Sequence, residues 1–264
     1  VSEGTDLEAD RRLLRRAVSA AGALALEHFR VGTGSWHKGP GQVVTEADLA
    51  IDRLLHDILI GARPEDGWLS EERADDGSRQ RRRRVWMVDP IDGTRAFAEG
   101  EPEFAISVAL VVEGEPVLGA VLNPATEEHF EAERDGGARL NGVRLQISDR
   151  RDLTGARLLS SRTEMKHRHW PQLIPEGQFT AMGSLAYKLA LIAAGRFDGL
   201  VSLRVSHDWD LAAAVLLIGE AGGRISEAHG GPLVLNKPAI RHEGLAAAGT
   251  TALHRALVAR LRST

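Results

Sequence analysis

Asp89 and Asp92 stand three residues apart in the stretch Trp86-Met87-Val88-Asp89-Pro90-Ile91-Asp92-Gly93-Thr94-Arg95. Val85 to Val88 reads as the end of a buried strand. Pro90, with no N–H and a fixed φ, is expected to stop the ladder there. The stiffened turn lets both carboxylates converge on one point. Gly93 permits close backbone approach, and Thr94 can cap or open a short helix. Two carboxylates beside free N–H groups at a helix start suit a hard cation together with an anion. A phosphate ester bridged by magnesium fits that pairing. The same residues also fit a plain Asp-rich turn, because Asp-Pro and Asp-Gly pairs are common turn chemistry.

Other acids close other elements. Asp48 stands at a helix start, three residues after Thr45, a spacing that also fits a capping box. Glu71 follows a short strand beginning at Gly67, and Asp210 lies at a helix start after Trp209. Acids at the ends of separate elements are what a multi-cation oxygen site needs. Zinc is not indicated: ten histidines are present, but no His-x-x-x-His pair is joined to a Glu on a helix. His167 and His169 are expected at the surface. The acids are dispersed rather than packed at EF-hand spacing. The glycine-rich stretch Gly32 to Gly41, expected as a loop around Trp36, lacks the context of a phosphate loop.

The elements that must carry these groups fit an ordinary globular chain. It has 264 residues, 43% hydrophobic and 27% charged, with a net charge of −4. That balance argues against a nucleic-acid polymer or an anionic membrane as bulk partner. Arg81 to Arg84 is expected to be a solvated run before a strand. There is no cysteine, which excludes thiolate catalysis and fits a reducing compartment, so a cytoplasmic location is expected. No apolar stretch reaches membrane-spanning length and no signal-peptide pattern opens the chain.

Helices are predicted over residues 6–30 and from Thr45 to about Gly61. Strands are predicted at Phe104 to Val112 and Pro116 to Leu122 (a hairpin across Glu113-Gly114-Glu115), Glu128 to Glu133 and Ala138 to Leu140. Later come a strand at Ala156 to Ser161, a helix at Glu164 to Leu173 and a strand at Phe179 to Met182. A helix from Gly183-Ser184 to Gly195 follows, then a strand at Asp198 to Leu203. An apolar helix at Asp208 to Ala221 is closed by Gly222-Gly223. Arg224 to Ser226, Leu245 to Ala248 and a helix from Thr251 complete the pattern. Residues 1–145 read as an α+β half and residues 146–264 as an α/β half.

Taken together, Thr45-Glu46-Ala47-Asp48, Ser70-Glu71-Glu72, Asp89-Pro90-Ile91-Asp92-Gly93-Thr94, Trp209-Asp210-Leu211-Ala212-Ala213 and Glu220-Ala221-Gly222-Gly223 occur in the order and spacing of one family. The chain resembles the inositol monophosphatase superfamily of magnesium-dependent phosphatases over nearly its whole length. The resemblance implies a layered αβαβα sandwich. The first half would supply most metal ligands, and the second half Asp210 and most of the substrate pocket. It implies two or three Mg²⁺ ions: Glu71, Asp89 and the carbonyl of Ile91 holding one, Asp89, Asp92 and Asp210 a second, with Asp89 bridging. It implies that Thr94 and Asp48, with Glu71, activate a water, and that the N–H groups of Gly93 and Thr94 grip the phosphate. A homodimer and lithium inhibition are implied in the same way. A catalytically silent regulator would be expected to have lost a ligand or the threonine, and every matched position is present.

The resemblance implies a small phosphorylated metabolite as substrate, and three features bear on which one. The position where inositol monophosphatases usually carry a polyol-binding Glu is Leu203, with Arg204 beside it. An arginine suits a second phosphate. Lys188 lies on the helix that Gly183-Ser184 opens, and Pro232 to Lys237 is similar to the bisphosphate nucleotidase pattern. These features rank 3′-phosphoadenosine 5′-phosphate first, inositol 1-phosphate second and histidinol phosphate third. Each has a plain alternative, since Arg204 and Lys188 also suit a solvated surface.

Overall fold

Leu13, Leu14, Ala17, Val18, Ala21 and Ala25 recur at helical spacing and are all buried, so helix α1 (Glu3–Val31) lays one stripe against the molecule. The computed structural model describes residues 3–32, 34–39, 42–167 and 170–263. The glycine-rich stretch is not a bare loop. Its backbone forms β1 (Ser35–Gly39), paired antiparallel with β2 (Gln42–Thr45), and pairing satisfies amides that a loop would leave to water. Gly41 and His169 lie outside the described residues, and His167 is exposed. α2 (Glu46–Ala62) starts with the expected capping box between Thr45 and Asp48 and buries Ala47, Ile51, Leu55 and Leu59.

Seven strands follow as one sheet in sequence order: β3 (Gly67–Ser70), β4 (Arg84–Asp92), β5 (Ala105–Val112), β6 (Glu115–Asn123), β7 (Glu128–Glu133), β8 (Gly137–Leu140) and β9 (Val143–Arg144). Only β3 and β4 run parallel; the other neighbours are antiparallel. A short helix, α3 (Thr94–Ala98), follows β4. The Glu113-Gly114 and Asn141-Gly142 turns have positive φ at both central residues, matching the right-handed twist of their hairpins. Pro90 does not end its strand. Asp89 pairs with Ser107 and Asp92 with Ala105, so Pro90 and Ile91 together oppose Ile106 in a bulge. The bulge absorbs the missing N–H and lets β4 continue to Asp92.

The second sheet has the order β11-β10-β12-β14-β13. Its strands are β10 (Arg157–Ser160), β11 (Gln178–Ala181), β12 (Gly199–His207), β13 (Arg224–Glu227) and β14 (Arg241–Ala248). Between β10 and β11 two short helices, α4 (Arg162–His167) and α5 (Trp170–Leu173), replace the single predicted helix. β12 runs four residues beyond its predicted end, through a register slip between Ser202 and Val205.

Helices α6 (Leu185–Ala193) and α7 (Asp208–Glu220) lie between the two sheets. This position explains why both are apolar almost all round: each has protein on two faces. A Cβ at Gly119 of β6 would come within 3.0 Å of the Ala213 backbone, so helix and sheet meet at closest approach there. The first core packs α1 and α2 on the outer face of the seven-stranded sheet. The second joins its inner face through α6 and α7 to the five-stranded sheet. The third packs α8 (Thr251–Leu261) and Trp170 on the far side of that sheet. The layers therefore read α, β, α, β, α. No helix among the described residues is long and apolar enough to cross a membrane.

Candidate metal centre and active site

Parallel pairing of β3 and β4 sets Ser70 opposite Val88, so the next residues, Glu71 and Asp89, emerge side by side. Glu71 N donates to Val88 O at 3.3 Å, which holds the two chain ends together. On the other side Asp89 pairs with Ser107, whose Oγ donates to Trp209 O at 3.3 Å. That contact brings the start of α7, and Asp210 with it, onto the same spot. Glu71, Asp89 and Asp210 each offer an oxygen within 4.8 Å of the others. Asp89 is buried, Asp210 half-buried, and Glu71 opens onto a cavity of about 410 Å³.

Asp92 lines the same cavity but is tethered differently. Its Oδ2 accepts Ser184 Oγ at 2.6 Å and Ala186 N at 2.5 Å, which caps the start of α6. The Ile91 carbonyl accepts Thr94 Oγ1 at 3.0 Å. Thr94 Oγ1 also lies 3.2 Å from Asp48 Oδ1. The second Asp48 oxygen is committed to Thr45 N at 2.8 Å and Thr45 Oγ1 at 2.5 Å. The capping box is therefore real and leaves one oxygen of Asp48 aimed at the site. Both readings of Asp48 hold at once.

Crowded carboxylates raise one another's proton affinity. Burial first, then the charge of Asp210, pushes Glu71 up to about 8 from an ordinary 4.5; Glu72, Asp92 and Asp48 add to it. Burial, followed by Glu71, raises Asp89 well above the usual range. Asp92 is pushed up to about 6 by burial and by Asp210, against its hydrogen bonds to Ser184 and Ala186. Asp48 is also pushed up to about 6, by burial, against its bonds to Thr45. Acids packed this way cannot all ionise without a countercharge. The donor set is all oxygen and mostly anionic, which fits a hard divalent cation such as Mg²⁺.

Gly93 follows Asp92 at φ 94°, and a Cβ there would sit 2.7 Å from Glu103 O. Glu103 also accepts Gly183 N at 2.7 Å, so one side chain and its backbone brace both glycine turns. The remaining wall is basic. Lys188 is buried on α6, Arg204 is exposed at the β12 slip, and both line the cavity. Leu203 packs the opposite way, into the core beneath α8, so the position expected to read a polyol does not face the site.

Several residues that hold the site together carry no local sequence signal. Arg79 is buried in a 3-10 turn after β3. It donates to Asn236 Oδ1 at 2.5 Å and Lys237 O at 2.9 Å. Asn236 N donates to Asp208 Oδ2 at 2.7 Å, and Asp208 Oδ1 lies 2.7 Å from His242 Nε2. The chain from Glu71's loop to the start of α7 is thereby closed, and Pro232 to Lys237 takes a structural part. Asp52 likewise ties Ser70 Oγ and Arg73 Nε, each at 2.5 Å. In the basic run Arg82 and Arg83 make surface pairs, whereas Arg84 reaches Asp10 and Asp66, a buried anchor under α1.

The sequence profile of the inositol monophosphatase family matches residues 6–264. The chain belongs to the inositol monophosphatase family. Members of this family are metal-dependent phosphatases of small phosphorylated substrates. The inositol-1-monophosphatase of Rhizobium meliloti is 41% identical over 206 residues, 74% of this chain and 75% of that protein. The Nus factor SuhB of Escherichia coli K12 is 34% identical over 228 residues, 82% of this chain and 84% of that protein. Among solved structures, the extragenic suppressor protein suhB from Bartonella henselae superposes with a TM-score of 0.85 at 29% identity, covering 96% of this chain and 98% of that one. A Thermotoga maritima IMPase gives 0.84 at 27% identity, covering 98% and 97%.

Proposed function

We propose that this cavity hydrolyses a phosphate monoester of a small hydroxylated metabolite with Mg²⁺, and that inositol 1-phosphate is its reference substrate. The observation that carries the reading is the convergence of Glu71, Asp89 and Asp210 within 4.8 Å in a cavity shared with the Gly93-Thr94 turn. Inositol 1-phosphate replaces the adenosine bisphosphate as first substrate because the named relatives include inositol-1-monophosphatases at up to 41% identity.

Glu71, Asp89, the Ile91 carbonyl, Asp92 and Asp210 would hold two or three Mg²⁺ ions, with Asp89 shared. The bound cations would neutralise the dianionic ester, make water more acidic and steady the departing alkoxide. The chain's own groups do the rest. The amides of Gly93 and Thr94 receive the phosphate oxygens beside a helix start. Thr94 Oγ1 takes a hydrogen bond from the attacking water and passes its own proton toward Asp48 Oδ1, 3.2 Å away. The water oxygen bonds to phosphorus as the ester P–O bond breaks; the departing alkoxide takes a proton from solvent, giving inorganic phosphate and the alcohol. The Asp48 carboxyl, pushed up to about 6, is a better proton acceptor than an ordinary aspartate. A homodimer belongs to the same proposal and is checked by light scattering.

Phosphate release from inositol 1-phosphate, histidinol phosphate and 3′-phosphoadenosine 5′-phosphate in saturating Mg²⁺ tests the reading. Turnover of inositol 1-phosphate above histidinol phosphate is expected. No release from any of the three would overturn it.

A further inference from the structure

Three acids crowd the rim of the cavity, beside the turn that is to receive a dianion. Glu99 lines the cavity, and Glu101 and Glu103 follow it in the segment between α3 and β5. Three negative charges there would repel a phosphate. Arg95 is exposed on the same rim, with no ion pair among the described residues. The cation that the acids engage comes from the other half of the chain. Arg162 is the first residue of α4, shortly after β10, and also lines the cavity. Its guanidinium pairs with Glu101 and, at 2.9 Å, with Glu103. The hydrogen bond to Glu101 raises its pKa, and the charges of Glu103 and Glu99 act in the same direction, against partial burial.

Both ends of this clamp are fixed. On the side of α4, Glu164 accepts Leu203 N at 2.6 Å, Ser202 Oγ at 2.8 Å and Ser161 Oγ at 3.0 Å, which ties the helix start to β12. On the other side Glu101 N donates to Ala96 O at 2.8 Å, which ties the segment to α3. Glu103 is where the clamp meets the site. One carboxylate oxygen, Oε2, accepts both Gly183 N at 2.7 Å and Arg162. The Glu103 carbonyl oxygen would lie 2.7 Å from a Cβ at Gly93 and 2.9 Å from one at Gly183. Glu103 thus packs against the glycine before Thr94 and the glycine before Ser184, and Arg162 holds its side chain. The Arg162 and Glu101 side chains are 45% and 39% exposed, and an ion pair this exposed adds little to stability. What it sets is position and charge at the rim.

We propose that Arg162 is a positioning residue for the phosphate: by clamping Glu101 and Glu103 it holds the Gly93 and Gly183 turns at the spacing that receives the ester, and it offsets the acids that would repel it. The inference rests on the phosphatase reading above and adds to it a residue that acts through Glu103 and not on the reacting atoms.

The test measures inorganic phosphate binding by calorimetry in saturating Mg²⁺, beside the kinetics of the best of the three esters above. Arg162→Gln should weaken phosphate binding and raise KM, each by about tenfold, with kcat within about twofold, the pattern of a contact made equally in the ground and transition states. Its melting temperature and Mg²⁺ requirement should stay near wild type, because the pair is exposed and Arg162 is not part of the Glu71–Asp89–Asp210 cluster. Arg162→Lys keeps the charge but not the two-pronged fork and should recover part of the loss. Glu103→Gln keeps an acceptor for Gly183 N. Added to Arg162→Gln it should do no further harm, since both break one clamp. Unchanged phosphate affinity and KM in Arg162→Gln overturn the proposal. So do effects of the two substitutions that multiply, which would mean that Arg162 meets the ester directly. A parallel fall in melting temperature, Mg²⁺ affinity and kcat overturns it as well, by making Arg162 a structural residue only. A wild-type protein that releases no phosphate from any of the three esters overturns the phosphatase reading itself.

Discussion

The two ends of the cavity are built in opposite ways. At the acidic end hydrogen bonds hold most of the groups in place. Asp48 is fixed by Thr45, Asp92 by the start of α6, and Asp210 Oδ2 by His207 N at 2.7 Å. The elements there end where they do because of paired strands and helix caps, so the oxygens are pre-placed for a cation. At the basic end, among the described residues, the Lys188 amine has a single carbonyl contact and the Arg204 guanidinium none. In the proposed reading the rigid acids meet the phosphate that every candidate ester shares.

The largest effect should come from the acidic end. Asp89→Asn keeps the shape but removes the charge that Glu71 and Asp210 surround; kcat should fall by about 10³-fold or more, since charge stabilisation dominates phosphoryl transfer. Phosphate release at saturating Mg²⁺ measures it. Asp48→Asn and Thr94→Val should each cost about 10²-fold in kcat, the usual reach of a positioned proton acceptor. Calorimetric Mg²⁺ binding should stay near wild type in both, because neither side chain joins the Glu71–Asp89–Asp210 cluster.

Arg79→Ala should act through position alone. It strands Asn236 Oδ1 and the Lys237 carbonyl inside the protein, at a cost of about 2–4 kcal/mol by denaturant unfolding. The apparent affinity for Mg²⁺ should weaken along with it, since the loop after Glu71 loses its tie to the start of α7. Arg79→Lys should restore part of the stability.

Proton linkage gives a further check. Glu71, Asp92 and Asp48 all have folded-state pKa values above their ordinary ones. The folded metal-free protein therefore holds more protons than the unfolded chain. That contribution is full below the ordinary carboxylate range and is lost as pH rises through about 6 and then about 8. The melting temperature of chelated protein should fall between pH 5 and 8, and added Mg²⁺ should raise it more at the upper end. A flat profile would mean that the acids do not share a desolvated site. Leu203→Glu should have the smallest effect on catalysis. Its side chain faces the core beneath α8, so it should cost about 1–3 kcal/mol of stability without improving KM for inositol 1-phosphate.

What could be read from the sequence follows the same division. Asp89 to Thr94 lie in one contiguous motif, Asp48 sits in its own capping box, and Asp210 follows a helix-start pattern, so local spacing exposes each. The layering of sheets and helices was implied by the family resemblance, and the apolar faces of α1 and α7 agree with it, one-sided in the first and two-sided in the second. Arg79 was not legible: its partner Asn236 is 157 residues away, and an arginine in a charged stretch resembles any solvated arginine. Glu103, Glu164 and the Asp208–His242 pair were hidden for the same reason. Leu203 and Arg204 could be located but not oriented, since the phase of β12 is set by packing: Leu203 falls with Val201 in the core beneath α8, and Arg204 with Ser202 on the cavity side. Pro90 misled because a bulge tolerates what a regular ladder does not.

The most direct measurement is the dependence of inositol 1-phosphate hydrolysis on free Mg²⁺ in the wild-type protein and in Asp210→Asn. Activity is expected to vanish in chelator and return on adding Mg²⁺. The variant should need a higher Mg²⁺ concentration and reach a far lower kcat. Hydrolysis that persists in chelated wild-type protein, or an Asp210→Asn variant with an unchanged Mg²⁺ requirement and kcat, would contradict a metal centre assembled from both sides of the fold.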